Sequence, residues 1–175
     1  MEKVVSSKRI YEGRVINLRV DAVDTGNGTH EFEVVEHGGA VVVIPRPSVD
    51  EMVLVRQYRH PLGTHTWEVC AGGIDPGETA HDAALRELRE ETGFRARTLR
   101  RLWSAYSAPG FCNELLHYFE TDDYEAGEPN NVDGEDIEIA TFPLKRLREM
   151  MERDELRDAK TQIAVLWALR HSPNS

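Results

Sequence analysis

Cysteine is scarce. Cys70 and Cys112 are the only two among 175 residues, too few for a disulfide framework or for a zinc site built from four thiolates. Long apolar runs are missing too. Stretches such as "AVVVIP" (40–45) fall far short of the roughly 20 residues that a membrane-spanning helix needs. The opening residues, "MEKVVSSKRIYEGRV", lack the apolar core of a secretory leader. Positive charge is in deficit, since 21 Lys and Arg face 31 Asp and Glu, for a formal net charge of −10. That balance argues against general affinity for nucleic acid or for an anionic membrane. The short basic run "RARTLRR" (95–101) reads as a solvated strand and turn. A phosphate-bearing ligand would need locally placed arginines or a metal ion. Seven histidines occur, but His60, His65, His81 and His117 show no paired zinc-ligand spacing. The expectation is a reduced, cytoplasmic protein.

What remains is an ordinary globular composition, 40% hydrophobic and 30% charged, in a chain of one-domain length. No repeat, low-complexity tract or linker divides it. The first third reads as strands: 14–23 and 30–37 flank the hairpin-forming "DTGNGT", followed by 40–45 and 51–59. The period then changes. Asp75-Pro76-Gly77 makes a turn, Ala80 to Thr92 repeats at helical spacing, and Gly93 stands where a helix stops. Strand patterns return at 97–106, 114–121 and 136–143, with an acidic, breaker-rich surface loop at 122–135. Two helical patterns, 143–152 and 159–170, close the chain, the second burying Trp167 and its aliphatic neighbours. Mixed strands, one internal helix and C-terminal helices predict an α/β sandwich.

The internal helix carries the chemistry. Glu87, Glu90 and Glu91 crowd into five positions, and like charges three and four apart repel. At 100° per residue, Glu87 and Glu91 fall between Ala83 and Ala84, with Glu90 close by, while Arg86, Arg89 and Asp82 take the far side. Carboxylates converging beside small residues suit a hard divalent cation, which would relieve the repulsion; magnesium, which binds through few carboxylates plus substrate phosphates, fits best. Arg86, one turn before Glu90, is placed to orient it.

The segment "GGIDPGETAHDAALRELREETGF" (72–94) resembles the Nudix box at every specified position: Gly72, Glu78, Arg86, Glu87, Leu88, Glu90, Glu91, Gly93 and Phe94. The resemblance implies a Nudix-type α/β/α sandwich with a mixed sheet, an N-terminal antiparallel strand extension (1–38) serving dimerisation, and a hydrolase domain at 39–175. It implies Mg2+, with Mn2+ as a substitute and more than one ion per site, held by Glu87, Glu91, Glu90 and the Ala71 carbonyl. Gly72, Gly73 and Gly77 would let backbone approach metal and phosphate. The reaction implied is hydrolysis of a diphosphate linked to another moiety.

"SAPGFCNE" (107–114), with Pro109 sixteen residues after Gly93, resembles the ADP-ribose pyrophosphatase branch, as do 55–78 and 32–44. By that resemblance Arg59 and Arg56 contact the diphosphate, and Glu68 contacts substrate or supports the site. Gly110 and Glu114 belong to the substrate site, Glu114 lying near the metals or else serving as a paired structural carboxylate, and Phe32 either stacks on adenine or belongs to the core. The catalytic base is Glu135 on the late loop, or Glu90. The chain departs from many relatives in carrying Cys70 where proline is usual, and Phe32 or Glu31 where an arginine is usual. A small-molecule nucleoside diphosphate is the implied partner and a homodimer the implied assembly. Another nucleoside diphosphate sugar or nucleotide, or a sensor without catalysis, are the competing readings.

Overall fold

The computed structural model describes residues 2–127 and 137–173. The chain opens on a three-stranded antiparallel meander of β1 (Lys3–Glu12), β2 (Ile16–Asp24) and β3 (Thr29–His37). β2 and β3 pair from Ile16–His37 to Asp24–Thr29, around a turn in which Gly26 and Gly28 take positive φ. β1 falls within the strand extension (1–38) that the resemblance implied but outside the strands read from residue pattern, because all ten of its residues are exposed and neither face leaves an apolar alternation to read.

The body follows. β4 (Ala40–Pro45) and β5 (Glu51–Arg59) lead through a single 3-10 turn into β6 (Thr64–Glu68) and β7 (Cys70–Gly73), then α1 (Ala80–Thr92). β8 (Arg95–Ala96), β9 (Arg100–Tyr106), β10 (Leu115–Thr121), β11 (Tyr124–Glu125) and β12 (Glu138–Pro143) precede α2 (Leu144–Glu152) and α3 (Ala159–Arg170). A mixed sheet runs β7-β4-β10-β9, with β4 and β10 parallel; an antiparallel sheet runs β12-β5-β6; β8 and β11 form a short ladder. The expected sandwich is therefore present, with the strands of its body divided between a mixed sheet, an antiparallel sheet and a short ladder.

β4 is buried at all six positions, and its alternation separates two cores. Val41 and Val43 pack with Ala83, Ala84 and Leu88 of α1 and with Phe119. Val42 and Ile44 pack with Met52 and Leu54 of β5, Tyr118, and the inner faces of α2 and α3. Truncating Leu88, which has no exposed surface, would cost about 2–5 kcal/mol. α1 is fixed at both ends. The Thr79 side chain accepts from the Asp82 N–H at 3.1 Å, and Gly93 takes φ 73° with its N–H on the Arg89 carbonyl. The N-terminal meander is stitched to the body where β3 meets 111–113. The Val35 N–H donates to the Phe111 carbonyl at 2.8 Å, and the Asn113 N–H donates to Val35 at 3.2 Å. No helix among the described residues is long and apolar enough to cross a membrane.

Candidate active site

α1 lies against β7 and sets its glutamates over the glycine strand. Glu91, 8% exposed, accepts hydrogen bonds from the Ala71 N–H at 3.1 Å and from Gln57 Nε2 at 3.4 Å. Both donors are neutral, so burial dominates and, with Glu87 adding repulsion, pushes the Glu91 carboxyl up to about 7. Burial likewise raises Glu87, against the pull of Arg86. A Cβ at Gly72 would overlap the Glu87 carboxylate, so glycine there is a condition of the glutamate's position. Gly73 and Gly77 have open space around their α-carbons, and Gly77 is favoured by its φ of 85°.

Arg86 is the hub of this face. Its Nε and Nη2 donate to Glu78 at 3.0 and 2.9 Å, and its Nη1 donates to Glu87 at 2.6 Å and Glu90 at 3.2 Å. Nη2 also donates to the Gly73 carbonyl at 2.8 Å, tying helix to glycine strand. The expected Arg86–Glu90 pair is present, within a larger clasp. Glu91 is the member of the glutamate cluster outside it. As the side chains stand, no three carboxylate, imidazole or thiol groups among the described residues converge on one point. The donor chemistry nevertheless fits a hard cation: two carboxyls held above their usual range, one of them buried without a cation, beside backbone made accessible by glycine.

The glycine strand also borders a cleft of about 380 Å³, lined by Ala71, Gly72 and Gly73, by Arg59 and Lys160, and by His37 and Glu114; Arg86, Glu87, Glu90 and Glu91 are not among the residues that line it. Arg59 grips Glu68 through two hydrogen bonds, Nε at 2.8 Å and Nη2 at 2.7 Å. Burial alone would raise the Glu68 carboxyl, but Arg59 and Thr66 hold it below its usual range. Glu68, 3% exposed, thus stands behind Arg59. Glu114 lies 3.5 Å from His37 Nδ1.

A second hollow, also about 380 Å³, is bordered by Phe32, Gly110 and Phe111, and Tyr106 borders both cavities. Phe32 is 44% exposed, so the core alternative is set aside. Arg56 points away from both, 3.2 Å from Glu138 on the neighbouring strand. Glu135 lies outside the described residues. Sequence reasoning missed Gln57, His37, Tyr106, Asp158 and Lys160. Strand alternation was an available signal for Gln57, which shares a face of β5 with Arg59.

The family model for the NUDIX domain matches residues 36–163, and the chain belongs to the NUDIX family. Hydrolases of that family work with divalent metal ions. Within it, the chain is 35% identical to the ADP-ribose pyrophosphatase of Bacillus subtilis, over 95% of this chain and 91% of that protein. It is equally similar to the methanol dehydrogenase activator of Bacillus methanolicus, at 35% over 97% and 96%. Among solved structures, an ADP compounds hydrolase superposes with a TM-score of 0.82 at 22% identity, covering 97% of this chain and 92% of that one, and so shows the same fold.

Proposed function

We propose that the cleft hydrolyses the diphosphate bridge of ADP-ribose, giving AMP and ribose 5-phosphate, with Mg2+ as the metal and more than one ion per site. The observation that carries this reading is the buried Glu91 carboxylate, without a cationic partner, beside Glu87 and the glycine strand. Glu87, Glu91, Glu90 and the Ala71 carbonyl would hold the ions. When bound, such ions neutralise phosphate oxygens and lower the pKa of a coordinated water.

The chain's own groups do the remaining work. Arg59, fixed from behind by Glu68, presents its guanidinium to the diphosphate. Arg86 keeps Glu87 and Glu90 from drifting apart under their mutual repulsion. Glu114 borders the same cleft. Phe32 and Gly110 border the second hollow, where an adenine ring would stack. Glu135, which lies outside the described residues, is the base in this reading, with Glu90 the alternative. The N-terminal meander (1–38), whose first strand is exposed along its whole length, is the dimerisation element in this reading, and both cysteines being free suits a cytoplasmic setting.

A substrate panel with magnesium tests the reading by measuring released monophosphate from ADP-ribose, GDP-mannose, a dinucleoside polyphosphate and an oxidised nucleotide. Turnover highest on ADP-ribose is expected. Preference for another member corrects the substrate, and turnover of none refutes the hydrolase.

A further inference from the structure

Two cations, Arg59 and Lys160, line the cleft, and only one of them was singled out by the sequence. Arg59 comes from the end of β5. Lys160 comes from the first turn of α3, about a hundred residues later. Each is anchored by a carboxylate. Glu68 takes Nε and Nη2 of Arg59, and Arg59 Nη1 makes no hydrogen bond among the described residues. Asp158, the N-cap of α3, accepts from Lys160 Nζ at 2.6 Å. Lys160 Nζ also lies 3.8 Å from the same Glu68 carboxylate, so one buried anion draws both cations together.

Burial is unequal along this network. The Glu68 side chain is 5% exposed, Lys160 24% and Arg59 37%. The shared anion sits behind, and the cations border the cleft with donors to spare: an ammonium has three N–H groups and a guanidinium five. Asp158 borders the cleft as well, but it is committed, accepting from the Thr161 N–H at 2.9 Å and hydroxyl at 2.7 Å. The Thr161 hydroxyl oxygen in turn accepts from the Val69 N–H at 2.8 Å, two residues before Ala71, which fixes this turn of α3 to the glycine strand. Cations held at one end and open at the other are preorganised for an anion, because little side-chain entropy is left to lose on binding.

We propose that Lys160 is a second substrate-contacting cation, which with Arg59 grips the oxygens of a diphosphate in the cleft. The assignment rests on the diphosphate reading of the cleft given above. An ammonium acts as a point charge on phosphate whereas a guanidinium forks onto two oxygens, so the pair would hold neighbouring oxygens without competing for them.

Calorimetric titration with ADP and with adenosine, in magnesium, tests this on the wild type, Lys160→Gln, Lys160→Arg and Arg59→Gln. Lys160→Gln is expected to weaken ADP about tenfold or more, to leave adenosine within about twofold, and to be largely restored in Lys160→Arg. With a turned-over diphosphate substrate, KM should rise by a larger factor than kcat falls. Should Lys160→Gln not fold, Lys160→Met carries the same expectation. If ADP binds the uncharged variant as it binds the wild type while Arg59→Gln loses it, Lys160 is merely structural and the proposal falls, with the cleft reading intact. If the wild type binds ADP no better than adenosine, both fall together.

Discussion

Glu91→Gln separates stability from function in a way the structure quantifies. The Glu91 carboxyl moves from an ordinary value of 4.5 to about 7 because burial disfavours its charged form. With the site free of metal, ionised Glu91 therefore costs about 3 kcal/mol near pH 8. A folded pKa above the unfolded one means that this cost is full above about 7 and fades as pH falls toward 4.5. By pH 5 it is below about 1 kcal/mol. Glutamine keeps an acceptor for the Ala71 N–H but surrenders one of the two carboxylate acceptors, a loss of about 1 kcal/mol. The variant should then be about 2 kcal/mol more stable than the wild type at pH 8, a rise in melting temperature of roughly 4–8 °C for a chain of this size. Thermal and urea melts of both proteins in chelator, at pH 5 and pH 8, measure this, since titratable groups away from Glu91 cancel in the difference and coupled Glu87 titrates in the same sense. The advantage should all but vanish at pH 5. Adding magnesium should raise the wild-type melting temperature and leave the variant unmoved, while turnover of the variant should be mostly lost. A stability difference that stays constant from pH 5 to pH 8 would refute the reasoning, because Glu91 could not then be a buried carboxylate without a cation.

Gly72→Ala should lower kcat about a hundredfold with little change in melting temperature, because its methyl would displace the Glu87 carboxylate; steady-state kinetics beside a thermal melt checks both halves. Arg86→Lys should destabilise by about 1–3 kcal/mol in urea, since one ammonium cannot span Glu78, Glu87, Glu90 and the Gly73 carbonyl together. Glu135→Gln should lower the catalytic rate more than it lowers substrate affinity, and an unaltered rate would pass the role of base to Glu90.

The helix was the most legible part of the chain. The glutamate spacing and Gly93 are local signals, and the wheel that placed Glu91 beside Ala83 and Ala84 matches the buried face of α1, with Glu87 partly buried at its edge. β4 was nearly as plain, because burial on both faces leaves an unbroken apolar run. The N-terminal strand was hidden by the opposite condition, solvent on both faces. β6 and β7 were obscured because "THTWEVCAGG" offers few apolar alternations and its glycines read as loop; only pairing with β5 and β4 makes them strands. The two arginines of β5 were both candidates, yet positions 56 and 59 differ by an odd number and must face opposite ways on a strand. One reaches the cleft and the other reaches Glu138. Lys160 and Asp158 carried no local signal, since what brings them to the cleft is the docking of α3 against Val69, a contact spanning most of the domain.

That docking has a practical consequence for anyone cutting or grafting this protein. The glutamate helix and its glycine strand look like a portable cassette, complete between residues 70 and 94. Yet one side of the cleft that the glycine strand borders is supplied by the last helix, which the Thr161 hydroxyl ties to Val69 and whose Ala164, Val165 and Ala168 pack into the core. Shortening the C-terminal end, or splicing the cassette into another scaffold, would deliver the acids intact and leave that cleft with an open flank.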